Sequence, residues 1–480
     1  METLQRTANR GSVSTAPYEV DNSLKFEADN TEYLSFANSV GENRRTWTYS
    51  TWVKKTELFG AGSVGGTLFG AYLDSNDRAR IEQYGDELGL HGKISGTTAV
   101  NVRTTMALRD TASWYHCMVV LDTTQATESN RVKIYVNGVQ HTSMIVATYP
   151  PQNYQFAINN AVNHFVGQKG DNTDYFCGYM AETYFIDGQA LTPTSFGEFD
   201  EDSGIWKPIE FTGTYPSADT NHFYLNFDDS SNLGKDSSGN GKNMTSNNIT
   251  SADQATDTPT NNFAINNIVD GGSYTSDNVS YKEGGTVQIR NQNTNYNYNF
   301  STLGMTKGKW YAEFQRGSAT NIMIGVQLQN FDSTLSSRVN TYIGMGADNH
   351  GGAFAATGHY YYNNGATSEG TTYSDSEILG VAVDCDNDKI YFSVDGTYVN
   401  SANPASGSNG FDFGPLETNE PCFFVMNSRD PNKEHKANFG GYTTISISSA
   451  ASDADGYGTF EYAPPSGYYA LCTKNLEEYG

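Results

Sequence analysis

The sequence predicts an all-β chain folded as two antiparallel β-sandwiches of jelly-roll type in tandem. Three observations carry this expectation. The 480 residues exceed one ordinary domain, and sandwiches commonly use about 200 residues each. The composition favours Gly, Asn, Ser, Thr and Tyr over the helix formers Glu, Lys, Leu and Ala, which suits strands and turns. A strand–turn–strand pattern closing on an Asx-Gly pair occurs twice, once in each half. Domains of this size bury roughly 70% of the unfolded chain's surface, so neither disulfide nor metal is required for folding.

The opening arm, residues 1–20, has no periodicity and carries Arg6 and Arg10 on an otherwise acidic chain; it is expected to dock on a neighbouring subunit. LKFEADNTEYLSF then alternates as a half-buried strand. In RTWTYSTWVKK, Trp47, Tyr49, Thr51 and Val53 share one face and Thr48, Ser50, Trp52 and Lys54 the other, so both faces are furnished for packing. The meander WYHCMVVLDTTQATESNRVKIYVNG ends at Asn137-Gly138, a dipeptide that tolerates the positive φ values of a type I′ hairpin. A single helical turn is expected near LTPTSFGE. Residues 21–228 thus form the first sandwich. Residues 229–262 are polar and aperiodic and read as a linker strapped along a domain surface.

Residues 263–480 form the second sandwich with a C-terminal extension. In GKWYAEF, Trp310, Ala312 and Phe314 alternate with Tyr311 and Glu313. ILGVAVDCDNDKIYFSVDG repeats the meander and ends at Asp395-Gly396. No helical pattern separates the strands, which argues against a βαβ architecture.

A net charge of −25 repels a phosphate backbone, so nucleic acid is excluded as a partner. No apolar stretch reaches the length of a membrane span, and METLQRTANRGS lacks an apolar secretion core, so neither membrane insertion nor secretion is expected. The five cysteines, Cys117, Cys177, Cys385, Cys422 and Cys472, are widely spaced and form no C-x-x-C pair. They read as buried thiols of a chain made in a reducing cytoplasm. Neither heptads nor a short repeat encodes a trimeric shaft, and a homo-oligomer is left open.

TYSTWVKK, WYHCMVVLD, KIYVNG and CGYMAETYFIDGQALTP resemble, in order, the laminin-G-like, concanavalin-A-like fold over about residues 20–228. The second half is similar to a SPRY domain through GKWYAEF, IGVQ, the second meander and a closing FGG, with Ala312 where that family often has an aromatic. NRGSVSTAPYEVDNSLKF, RRTWTYSTWVKK, DSSGNGKNMTSNNIT with DTPTNN, and APPSGYYALCTKNL together resemble virion proteins of tailed phages of marine type. That resemblance implies a tail fibre or surface adhesin, assembled in the host cytoplasm, that contacts other virion proteins and a host-surface glycan or receptor. The alternatives are a capsid decoration or tail connector protein and a polysaccharide depolymerase.

Catalysis by paired carboxylates would need two acids about 5–9 Å apart in a groove. Laminarinase-type hydrolases carry Glu-x-Asp-x-x-Glu on one strand; here the string Glu198-Phe199-Asp200-Glu201-Asp202-Ser203 ends in Ser and reads as a solvated loop. No catalytic residue is expected. Calcium would take Asp and Asn oxygens in short loops. Asp74-Asn76-Asp77, Asp171-Asn172-Asp174 and Asp384-Asp386-Asp388 have that composition, and the resemblance singles out Asp171, Asn172 and Asp174, since laminin-G-like domains often hold calcium at a rim loop. Sugars pack on flat rings flanked by short polar groups. Tyr296 and Tyr298 within NTNYNY, and His359, Tyr360, Tyr361, Tyr362 and Asn363 within HYYYNN, answer to that chemistry as glycan or partner contacts. Three consecutive tyrosines cannot all face one core.

Overall fold

Alternating side chains demand two partners for every buried strand, and the chain supplies them from its own later segments. The computed structural model describes residues 18–38, 40–59, 64–215, 221–269, 279–290, 297–318, 321–328, 343, 351–363, 365–414, 416 and 420–480. The chain divides into two compact units between Thr260 and Asn261. Each is a β-sandwich, so the all-β, tandem-sandwich expectation holds.

In the N-terminal unit one sheet runs, edge to edge, Val139–His141, Val132–Val136, Trp114–Asp122, Thr46–Lys55, Gly178–Asp187, Ser23–Phe26 and Gln254–Ala255, with Phe223–Leu225 pairing beside Gly178–Asp187. The facing sheet runs Met144–Thr148, Thr97–Ala107, Glu87–Ile94, Arg78–Tyr84, Val64–Tyr72, Asn163–Val166, Tyr33–Ala37 and Thr245–Asn247. All of these pairings are antiparallel. Trp47, Tyr49 and Val53 enter the core between the sheets, as the alternation requires. The opposite face is buried as well: Met118, Val120, Tyr184 and Ile186 form a second cluster with Phe196, against which Phe211 and Tyr215 pack. Asn137 (φ 48°) and Gly138 (φ 76°) make the left-handed pair of the hairpin turn. A Cβ on Gly138 would lie 2.3 Å from the Trp206 ring, so glycine is also required for that close approach.

The segment 229–262, read from its polarity as a surface linker, is built into this unit up to the boundary at Thr260. Thr245–Asn247 and Gln254–Ala255 add edge strands to the two sheets. Leu233, Met244 and Ile249 reach the core. A strand that borrows a finished sheet edge needs few apolar residues of its own, which is why its composition concealed it. Residues 18–20 of the opening arm also lie in this unit, with the Val20 amide donating to Thr260 Oγ1 at 3.0 Å. Arg6 and Arg10 fall outside the described residues.

The C-terminal unit pairs a sheet ordered Val279–Lys282, Val287–Arg290, Glu434–Asn438, Lys309–Gln315, Leu379–Asp384, Lys389–Val394 and Thr397–Tyr398 with one ordered Asn297–Phe300, Cys422–Ser428, Ile322–Leu328, Gly351–Ala355, His359–Tyr362 and Gly365–Ser368. Trp310, Ala312 and Phe314 point into the core between them. Tyr311 faces outward and is covered by Phe460, Tyr468 and Ala470 of the C-terminal extension. Glu313, on the same outer face, accepts the Glu461 and Tyr462 amides at 2.9 and 2.7 Å. The turn at Pro193–Ser195 is a single 3-10 turn near LTPTSFGE. The α-helix Thr473–Tyr479 was not expected; its seven residues carry too little periodic signal to separate it from a loop. All five cysteines are free and buried. Among the described residues no helix is long and apolar enough to cross a membrane.

Candidate functional site

The three acidic loops are turns whose carboxylates are already engaged. Asp74 Oδ1 accepts the Asn76 and Asp77 amides, and Asp77 Oδ1 accepts the Ser95 amide. Asp384 Oδ1 accepts the Asp386 and Asn387 amides while its Oδ2 pairs with Lys309 at 2.9 Å. Asp386 and Asp388 cap the amides of Gly308 and Leu416. Asp74 and Asp384 thus close Asx turns, and the others tie distant backbone.

The calcium expectation at Asp171, Asn172 and Asp174 does not fit the geometry. The Lys169 ammonium lies between the two carboxylates, 3.1 Å from Asp171 and 3.0 Å from Asp174, and Arg80 adds a second cation 3.4 Å from Asp174. Burial pushes the Asp171 carboxyl up, and the Thr173 hydroxyl and Lys169 outweigh it, holding it below the usual range. Asn172 and Asp174 sit in the left-handed region at φ 59° and 56° and shape the turn. A calcium ion would have to displace Lys169. Among the described residues no group of three or more His, Cys, Asp or Glu is arranged to hold a metal.

In the acidic string, Glu198 and Phe199 end a strand paired with Trp206–Pro208, and the turn that follows is closed by Asp200, whose carboxyl the Ser203 amide and Lys207 hold down at about 2. That is a turn cap, not an acid–base pair.

The aromatic residues divide between core and surface. Tyr298 packs with Phe300, Met323 and Phe423 on the outer face of the six-stranded sheet and is only 4% exposed. Tyr360 is 5% exposed, stacks on Phe411 at 4.4 Å and donates its hydroxyl to the Asp412 carbonyl at 2.6 Å. Burial on this scale withdraws both from the ligand-contact role expected of them. Tyr296 lies outside the described residues.

His359, Tyr361 and Tyr362 are half-buried and Asn363 is exposed. They sit on the last hairpin of the sheet, where His359–Tyr362 pairs with Gly365–Ser368, an edge strand exposed at all four residues. Strand alternation puts His359 and Tyr361 on one face, their rings 6.4 Å apart, and Tyr360 and Tyr362 on the other. The register places Ser368 opposite His359, and Thr357 Oγ1 lies 3.3 Å from His359 Nδ1. Asn363, at φ 52°, makes the turn. Thr357 and Ser368 were missed by sequence reasoning, because only the register reveals them as neighbours of the rings. The face therefore offers two half-buried aromatic rings and two hydroxyls, with Tyr361 also packed against the Tyr298 cluster.

A second surface feature, also missed, is a polar cleft of about 320 Å³ in the N-terminal unit, lined by Glu42, Asn43, Arg44, Arg45, Thr46, Thr124 and Gln155. Arg44 is held by carbonyls, its Nε donating to Phe156 O at 2.5 Å and its Nη2 to Gln155 O at 3.3 Å. The adjacent Arg44-Arg45 pair on so acidic a chain was the one signal that pointed to it.

Residues 28–195 match the family model described as the Concanavalin A-like lectin/glucanases superfamily, of laminin-G type. No curated protein matches the chain. Among solved structures, the SPRY domain of human HERC1 is similar at 15% identity and a TM-score of 0.25, covering 32% of this chain and 89% of that one. The native heptameric SAP-like pentraxin of Limulus polyphemus is similar at 16% identity and a TM-score of 0.27, covering 36% and 78%. Domain 4 of AbnA, a GH43 extracellular arabinanase of Geobacillus stearothermophilus solved with arabinotriose, is similar at 21% identity and a TM-score of 0.25, covering 33% and 68%. Likeness at this level carries no inference about activity.

Proposed function

We propose that this chain is a tailed-phage virion protein, a tail fibre or surface adhesin, that binds a host cell-surface glycan or protein without chemistry. The observation that carries the binding role is the hairpin 359–368, the last of its sheet among the described residues, where His359 and Tyr361 share one face beside Thr357 and Ser368. Pyranose C–H faces pack on flat rings while their hydroxyls need directional partners, and this face offers both. Tyr and Asn on short turns also supply adaptable contacts at small entropic cost. The virion assignment is supported by the ordered sequence blocks that resemble tailed-phage proteins, and the non-catalytic reading by the one Glu-x-Asp-x-x-Glu string, Glu27 to Glu32, which lies in the turn after Ser23–Phe26 instead of on a strand and has Glu32 bound to buried Lys25.

Binding of the purified chain to host cells and to their envelope polysaccharide tests the reading. His359→Ala with Tyr361→Ala is expected to weaken binding about tenfold or more, two lost ring contacts being worth roughly 1–3 kcal/mol, with the melting temperature showing that the sheet survives. Undiminished binding by that variant would move the site elsewhere. Release of reducing ends during the incubation would replace the adhesin with a depolymerase. Imaging of the particle decides the remaining alternative, since an adhesin projects outward and a connector or decoration protein is held among other virion chains.

A further inference from the structure

Lys25 follows Leu24 and precedes Phe26, both core residues, so alternation turns it to the outer face of its sheet. There it is fully buried, with its ammonium 2.9 and 3.0 Å from the two Glu32 oxygens and 2.8 Å from Asp253 Oδ1. The other Asp253 oxygen, Oδ2, accepts the Thr250 amide at 2.7 Å and the Thr250 hydroxyl at 3.1 Å. Glu32 is fixed in turn by the Glu27 amide at 2.8 Å and the Asn30 side chain at 2.9 Å. One amine, one electrophilic carboxyl and one further carboxyl are thereby held in contact, away from water, with two donors aimed at the oxygen on which charge would develop.

We propose that Lys25 and Asp253 join in an intramolecular amide bond, with Glu32 carrying the protons. The Lys25 ammonium gives a proton to Glu32 and becomes a nucleophile. Its nitrogen attacks Asp253 Cγ, and the negative charge that develops on Oδ2 is met by the Thr250 amide and hydroxyl. Oδ1 receives two protons, both from the Lys25 nitrogen by way of Glu32, and leaves as water. The C–N bond forms as the C–Oδ1 bond breaks, and Glu32 ends as it began. An ammonium and a carboxylate become an amide and one water, so no oxidant, reductant or co-reactant is involved.

The charge balance favours this. Two carboxylates and one ammonium share a dry site, so one acid is driven toward its neutral form. Burial pushes the Glu32 carboxyl up to about 7, with the Asp253 charge adding to it and Lys25 opposing it, which suits a group that takes and returns protons near neutrality. The buried Lys54–Asp257 pair nearby, at 2.6 Å, provides an internal contrast. Its Asp257 Oδ1 accepts the Trp114 indole N–H at 3.0 Å, and an indole relays no proton. That pair stays ionic. The bond at Lys25 would clasp the strand Ser23–Phe26 to the edge strand Gln254–Ala255, whose pairing is two rungs long. It would close a loop containing nearly the whole N-terminal unit.

Peptide mapping and intact mass of the denatured full chain test the proposal. The expected result is a mass lower by one water and a branched peptide linking Lys25 to Asp253, with Lys54 and Asp257 recovered in linear peptides. Glu32→Gln is expected to yield Lys25 and Asp253 in linear peptides as well. Complete recovery of linear Lys25 peptide from wild-type protein, after long incubation of the folded chain at neutral pH, would overturn the proposal. A cross-link that persists in Glu32→Gln would overturn the role of Glu32. If Glu32→Gln does not fold, the wild-type map decides alone.

Discussion

Asn137 and His116 exchange two hydrogen bonds across the end of their hairpin. The Asn137 amide donates to the His116 carbonyl at 2.9 Å, and the His116 amide donates to Asn137 Oδ1 at 2.8 Å. Asp395 and Ile378 repeat the bracket in the C-terminal unit at 3.0 and 2.9 Å. Both Asx residues are left-handed, at φ 48° and 47°. One residue thus makes the turn with its backbone and adds a rung to the ladder with its side chain. Asn137→Ala and Asp395→Ala lose a hydrogen bond and place a Cβ residue without a local polar partner at positive φ, so each is expected to cost about 1–3 kcal/mol in urea unfolding. Asn137→Asp, which keeps the acceptor, should cost far less. Equal losses for Ala and Asp would show that the side-chain rung contributes nothing.

Asp257 ties the former linker to the sheet through fully buried Lys54 and the Trp114 indole. Removing one partner of a buried pair strands the other charge. Asp257→Ala is therefore expected to destabilise the N-terminal unit by about 3–5 kcal/mol, and Lys54→Met with Asp257→Leu to recover most of that. Unfolding monitored by tryptophan fluorescence reads both. A loss below about 1 kcal/mol for Asp257→Ala would mean that the 250s segment is not needed for that unit.

What the residues disclose in advance follows from where the information lies. Trp47, Tyr49 and Val53 face the core in phase with their alternation, as do Trp310, Ala312 and Phe314, because period two is a local property. The Asx-Gly turns are likewise local chemistry. The HYYYNN stretch shows the limit: alternation splits its tyrosines between two faces, but whether Tyr360 or Tyr361 points to the core depends on which strands pair alongside. Asp171 appeared ready for calcium because Lys169, present in the sequence all along, takes its place between the carboxylates only through the loop's fold. The cleft at Arg44 and Arg45 was hidden for a similar reason, since it combines residues 42–46 with Thr124 and Gln155.

Lys169 makes the rim loop self-sufficient in charge. Millimolar calcium is expected to leave the melting temperature of the wild-type chain unchanged. Lys169→Ala leaves Asp171 and Asp174 facing each other without their shared donor and should cost about 1–3 kcal/mol, the range for hydrogen bonds to charged groups. A calcium-dependent rise in wild-type melting temperature, abolished by Asp171→Asn, would reverse this account.

His116 sets a pH dependence whose sign can be worked out. Its ring lies between Trp52 and Trp206, and Trp206 Nε1–H donates to Nδ1 at 3.1 Å. An indole nitrogen only donates, so Nδ1 is the bare nitrogen and Nε2–H donates to Ser50 Oγ at 2.7 Å. Full burial drives the imidazole pKa down to about 3, whereas an unfolded histidine titrates near 6.5. Between those values the unfolded chain binds a proton that the folded chain refuses. The stabilising contribution is therefore complete above about 6.5 and is lost, by about 1.4 kcal/mol per pH unit, as pH falls toward the folded value. His164 and His435, each lowered to about 4 by burial, act in the same direction. Glu182 and Glu313, raised by burial, act in the opposite one, since the folded chain keeps their protons longer. The decisive quantity is consequently the difference between wild type and His116→Gln, a variant that does not titrate and retains both a donor and an acceptor. That difference should move against the wild type by about 1.4 kcal/mol per unit between pH 6 and pH 4. Parallel stability curves over that range would show that His116 takes up its proton in the folded protein as readily as in the unfolded one.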